Sequence, residues 1–171
     1  DGSLVAASFN AEDSEGGIVG QVEVLEVATG RVVSKIQVPN SIDTALSPDG
    51  RQVAVASFWS GLPEESGAGG VFDVRTGDEV FGFERWNDCC PNPFARGVSW
   101  SPDGRLVAVS TEDTATVWDV ASHTLRDTLR GHGGLVLGLA WSPDSKRLVT
   151  GGSDGTAKVW ELTDNYATEV A

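Results

Sequence analysis

A chain of 171 residues, 40% hydrophobic and 22% charged, is long enough to bury a core and too apolar to remain disordered. Its formal charge of −13 and pI near 4.3 repel phosphate backbones. The close basic pairs, Arg126 with Arg130 and Lys146 with Arg147, form no offsetting patch, so neither a nucleic-acid nor a membrane partner is expected.

In chain order, short Val-rich apolar runs alternate with turn residues, and no segment sustains a helical period. The first turn signal is the polar link 10–17, followed by Leu25-Glu26 and Ala28-Thr29-Gly30-Arg31. Ser47-Pro48-Asp49-Gly50-Arg51 comes next, then a long link over 59–70, then Phe72-Asp73 and Arg75-Thr76-Gly77-Asp78. A second expanded link covers 86–94. The Ser-Pro-Asp-Gly-Arg motif then returns at 101–105, trailed by Glu112-Asp113-Thr114 and Trp118-Asp119. It returns once more, altered, as Ser142-Pro143-Asp144-Ser145, with Trp160-Glu161 behind it. Three anchors in one fixed order, at a period of roughly 40 to 50 residues, mark an internal repeat.

The last unit shows the plan. Leu135 to Trp141 reads as a first strand, Arg147 to Gly151 as a second and Thr156 to Leu162 as a third. Ser153-Asp154-Gly155 is a hairpin turn between the last two, and residues 165–171 could begin a fourth strand. The expected fold is all-β, built of four-stranded antiparallel sheets. Each is too small to hide both faces, so neighbours must stack.

These motifs resemble the WD-repeat family. The best match runs through Gly131-His132, Trp141-Ser142-Pro143-Asp144, Gly151-Gly152-Ser153-Asp154-Gly155 and Val159-Trp160-Glu161. The unit before it matches through Trp100-Ser101-Pro102-Asp103-Gly104, Asp113 and Val117-Trp118-Asp119, but lacks the Gly-His pair. The first two units have Leu25 and Phe72 where the family has Trp. The resemblance implies a β-propeller segment of about four blades: residues 4–38 without an inner strand, 42–86, 97–129 and 135–171. Family members commonly have seven blades, so a missing segment or a second chain is expected to complete the ring. The absence of Met, at position 1 included, fits a piece of something longer or a processed product. The resemblance is specific for architecture, not for function.

His132, Asp154, Trp160 and a nearby hydroxyl, Ser153 or Thr150, have the residue types of a hydrolase triad. The resemblance instead implies a structural hydrogen-bond network, comprising His132, Ser153, Asp154 and Trp160 in the last unit and Thr111, Asp113 and Trp118 in the one before. Gly152 falls where the family often has Ser, which leaves the second-strand hydroxyl open. No metal or other cofactor is expected. Cys89 and Cys90 are adjacent, closer than paired zinc ligands, and His123 and His132 lie on different elements. Adjacent cysteines also give no disulfide framework, so a reducing, cytoplasmic compartment is the default. Glu12, Asp13, Glu15, Glu64 and Glu65 show no fixed ligand spacing and read as solvated loop charges.

Strands that alternate in direction would bring the links 10–17, 59–70 and 86–94 out on one rim. Trp59, Trp86 and Phe94 would stand there amid Glu64, Glu65 and Asp88, aromatic anchors among charges, as at protein-binding hot spots. The leading expectation is a non-enzymatic scaffold or sensor that binds a protein or peptide on this rim, within a larger signalling or multidomain protein. The alternatives are a self-assembling half-propeller and, behind it, a propeller hydrolase or lyase.

Overall fold

The computed structural model describes residues 2–12, 18–57, 69–83, 95–163 and 167–171. Every regular element among them is a strand: β1 (Leu4–Glu12), β2 (Ile18–Glu26), β3 (Val32–Gln37), β4 (Ser41–Leu46), β5 (Gln52–Ser57), β6 (Gly69–Asp73), β7 (Glu79–Gly82), β8 (Gly97–Trp100), β9 (Leu106–Ser110), β10 (Thr114–Asp119), β11 (Thr124–Arg130), β12 (Val136–Trp141), β13 (Arg147–Gly152), β14 (Ala157–Leu162) and β15 (Ala167–Glu169). They form a three-stranded sheet β1–β3 and three four-stranded sheets, β4–β7, β8–β11 and β12–β15, each antiparallel with sequential neighbours paired. The protein is therefore all-β, in sheets of the propeller-blade kind.

The chain forms two compact units, residues 1–95 and 96–171. In the first, Leu4, Ala6, Val22, Val24 and Ile36 of the β1–β3 sheet pack against Leu46, Val53, Val55 and Phe72 of the β4–β7 sheet. In the second, Leu106, Ala108, Ala115, Val117 and Leu129 meet Leu139, Trp141, Leu148, Trp160 and Leu162 of the β12–β15 sheet. Alternation along each strand sends one set of side chains to each face, so every sheet has two faces, and within each unit the two sheets share one. Two polar ties reinforce the second unit: the Trp141 indole donates to Ser99 O at 3.1 Å, and Asp127 Oδ1 accepts the Ala167 amide at 3.0 Å.

The repeated Ser-Pro-Asp motif closes the turn between first and second strands in three sheets. Ser47 donates to Asp49 at 2.6 Å, Asp49 accepts the Arg51 amide at 3.1 Å, and Gln52 N donates back to Ser47 Oγ at 3.0 Å. Ser101 and Asp103 repeat the pattern, as do Ser142 and Asp144. The fourth turn residue must take a left-handed backbone: φ is 71° at Gly50 and 73° at Gly104. Ser145 adopts the same region at 60°, and its hydroxyl accepts the Asp103 amide at 3.0 Å. The side chain that strains this turn thus links it to the turn of the neighbouring sheet.

The acids that follow the third-strand anchors build the next turn. Asp73 Oδ1 accepts the amides of Arg75 and Thr76, and Asp119 Oδ1 those of Ala121 and Ser122. Both are short-range side-chain turns that spare the backbone a partner.

Candidate docking rim and the polar chain of the fourth sheet

The polar chain starts at a buried indole. Trp160, 5% exposed on β14, donates from Nε1 to Thr150 Oγ1 at 2.9 Å. Thr150, fully buried on β13, lies 2.8 Å from His132 Nε2. His132 Nδ1 lies 3.0 Å from Asp154 Oδ2. A carboxylate can only accept, so Nδ1–H donates to it; in the neutral imidazole Nε2 then accepts the threonine proton, and the threonine oxygen accepts the indole proton. Each buried polar group is thereby satisfied in one direction.

Asp154 terminates the chain. Its carboxylate accepts the Thr156 hydroxyl at 2.7 Å, the Thr156 amide at 2.9 Å and the Gly133 amide at 2.7 Å. The Thr156 hydroxyl, then the two amides, hold its carboxyl well below the usual carboxylate range. Gly152 makes room for the pair: a Cβ there would come within 2.4 Å of His132 Nδ1 and 2.6 Å of Asp154 Oδ1. The hydroxyl left open by Gly152 is supplied two residues earlier by Thr150.

Three expected members stand elsewhere. Ser153 is not part of the Trp160-to-Asp154 chain; its hydroxyl accepts the Leu135 amide at 2.8 Å, pinning the start of the sheet to its own hairpin. In the third sheet the Trp118 indole, 1% exposed, donates to Thr116 Oγ1 at 3.1 Å. Thr111 instead pairs with Thr114 across a tighter hairpin, closed from Thr111 N to Thr114 O, and Asp113 stands exposed. The register explains the exchange. Thr150 faces Lys158 in one sheet, and Val109 faces Thr116 in the other, so the hydroxyl has crossed to the partner strand. Nothing in either arrangement resembles a nucleophile poised against a base and an open cleft: Thr150 is sealed beneath Trp160. Among the described residues no group of three or more His, Cys, Asp or Glu could hold a metal ion.

Trp59, Glu64, Glu65, Trp86, Asp88 and Phe94 lie outside the described residues, as do Asp13, Glu15, Cys89 and Cys90. Their supports are described. Ala56 pairs with Gly69 where the long link between β5 and β6 begins and ends. Phe83 N donates to Gly69 O at 2.9 Å, and Ala95 N donates to Ser57 O at 3.3 Å. The ends of the link after β5 and the ends of the link after β7 are therefore bonded to each other. Ser57 also pairs with Ser41 of β4. Gly20, just inside β2, lies against Val38 O and the amides of Asn40 and Ser41, where a Cβ would be 2.2–2.9 Å from all three. The supports of all three expanded links thus share one end of the first unit.

No helix among the described residues is long and apolar enough to cross a membrane, which leaves β-strand insertion unaddressed. Residues 90–119 and 123–161 match the family model described as WD domain, G-beta repeat. Among curated proteins, the chain is 35% identical over 86 residues to the small ribosomal subunit protein RACK1y of Oryza sativa subsp. japonica, covering 48% of this chain and 23% of that protein. It is 30% identical over 105 residues to the guanine nucleotide-binding protein subunit beta of Schizosaccharomyces pombe, covering 61% and 32%. It is 52% identical over 44 residues to the ribosome assembly protein 4 of Chaetomium thermophilum, covering 26% and 8%. The chain spans about a third or less of these relatives. Sheets, turns and polar chain agree with this match: residues 90–119 and 123–161 carry WD repeats, and the sheets before them follow the same plan.

Proposed function

We propose that this chain is a non-enzymatic scaffold or sensor module that docks a protein or peptide on the rim carrying its three expanded links. The supporting observation is the bonding of Ser57 to Ala95 and of Gly69 to Phe83, which gathers the ends of two long links. By sequence those links hold Trp59, Trp86 and Phe94 beside Glu64, Glu65 and Asp88. Loops gathered on a rigid scaffold are the usual carriers of binding function, and aromatic residues among charges are typical anchors. The four sheets, read as blades over 4–38, 42–86, 97–129 and 135–171, would be part of a larger ring, within a signalling or multidomain protein. The net charge of −13 favours a basic partner over nucleic acid or an anionic membrane surface. A family match and relatives named as a subunit and as a ribosomal-subunit protein are in keeping with a part in assemblies. The adjacent cysteines suit a reducing, cytoplasmic setting.

The test is capture by the immobilised chain, comparing wild type with the Trp59→Ala, Trp86→Ala double variant. Loss of most captured protein, with an unchanged melting curve, is the expected result. Retention of the same proteins at the same yield would sink the rim reading.

A further inference from the structure

A cleft of about 400 Å³ lies between the β8–β11 and β12–β15 sheets, at the end where their Ser-Pro-Asp turns stand. Leu106 and Leu162, 6% and 8% exposed, give it an apolar lining. Three of the chain's 12 basic residues, Arg105, Arg126 and Lys146, line it as well. The chain as a whole repels anions, but that field is screened beyond about 8 Å at physiological salt, so the local charges decide what the cleft accepts.

Arg126 reaches the cleft through an exception to the repeat. The last strand of each of the first three sheets skips one residue in its pairing: Val33 in β3, Val80 in β7 and Arg126 in β11. Such a bulge re-aims a side chain. Two of the three re-aim a valine; the third carries a guanidinium, which donates to Thr163 O just past β14. Its Nε lies 3.3 Å from Asp127 Oδ2. A guanidinium has five N–H donors, so others remain for a ligand. Arg105 and Lys146 are exposed, and no ion pair between described residues involves either. The acids of the cleft are already engaged. Asp103 and Asp144 hold their own turns, and Glu161 Oε1 lies 3.6 Å from Arg147. Each carboxylate keeps a second oxygen that can accept an N–H.

We propose that this cleft binds a peptide segment carrying an acidic side chain next to an apolar one. The peptide carboxylate pairs with Arg126, Arg105 and Lys146, and the apolar side chain covers Leu106 and Leu162. Backbone N–H groups of the segment meet the second oxygens of the cleft's own acids. A volume at the lower end of ligand-sized clefts suits a short segment rather than a folded domain. A phosphate, with nearly two charges, suits the site less, because three carboxylates stand around it. The cleft lies within the second unit and shares no residue with the link-bearing rim, so either proposal can fail alone.

The probe is a capped Gly-Glu-Leu-Gly peptide, titrated into the isotope-labelled 171-residue chain and followed by amide NMR. The amide resonances of Arg105, Ser145 and Lys146 should move together and saturate. The matched peptide with Gln in place of Glu should bind about tenfold more weakly. Arg126→Gln should weaken the Glu peptide about tenfold as well. Lys146→Gln changes an exposed side chain and should weaken it about threefold, with the rest of the spectrum unchanged, so that loss of binding is separated from loss of fold. Equal binding of the Glu and Gln peptides would overturn the proposal, as would no movement of these three amides. Binding that survives both substitutions would place the peptide elsewhere and overturn it too. Displacement of the peptide by inorganic phosphate at a lower concentration than the peptide's own would reassign the cleft to phosphate.

Discussion

Thr150 is the residue on which the fourth sheet's polar chain turns, because one hydroxyl serves both the Trp160 indole and the His132 imidazole. Thr150→Val leaves two buried polar groups unpaired, at about 1–3 kcal/mol each. We expect a loss of about 2–5 kcal/mol in urea unfolding, with Thr150→Ser recovering most of it. Thr116→Val removes one bond from the Trp118 indole and should lose about half as much. Ser145 offers a contrast of another kind. Its left-handed backbone carries roughly 1 kcal/mol of strain, offset by its bond from the Asp103 amide. Ser145→Gly should be nearly neutral, whereas Ser145→Ala keeps the strain, loses the bond and should destabilise by about 1 kcal/mol. His132, Asp154 and Trp160 stand out in the sequence because their types and order are local to one unit, and they share one hydrogen-bonded chain through Thr150. Ser153 and Thr111 have other partners, because which hydroxyl meets an indole depends on face and register, which only cross-strand pairing sets.

The turns were the most legible elements. Ser-Pro-Asp is visible in sequence because the turn it makes is closed by its own side chains, within five residues. The acid after each apolar anchor served as a repeat marker, and its physical role at Asp73 and Asp119 is the same local bonding. These turns predict an acid limit. The Ser47 hydroxyl and the Arg51 amide draw the Asp49 carboxyl below its ordinary value; Ser142 and the Lys146 amide do so at Asp144, and Thr156 at Asp154. A folded-state value lower than the unfolded one means that the stabilising charge is fully present above about pH 4 and is lost as the pH falls further. Urea midpoints should therefore be level from about pH 6 to 5 and drop below about pH 4. Asp154→Asn should start lower and drop less steeply; an equal slope would remove Asp154 from the account.

At the scale of the molecule, 25 acids against 12 bases make self-repulsion the dominant long-range term. Exposed pairs such as Arg31–Glu26 and Arg51–Asp49 contribute little against it. The melting midpoint should rise between low salt and about 0.5 M NaCl, and a fall would mean that ion pairs matter more than net charge. Sheet order followed from the repeat period, because each repeat carries the turns that pair its own sequential strands. The clasp from Ser57 to Ala95 and from Phe83 to Gly69 has a consequence for how this protein can change. Segments whose ends are already fastened have met most of their closure entropy, and doubling such a segment's length adds only about 0.6 kcal/mol. New sequence can accumulate between those fasteners while the sheets beneath stay intact, so this end of the molecule is where novelty is thermodynamically cheapest.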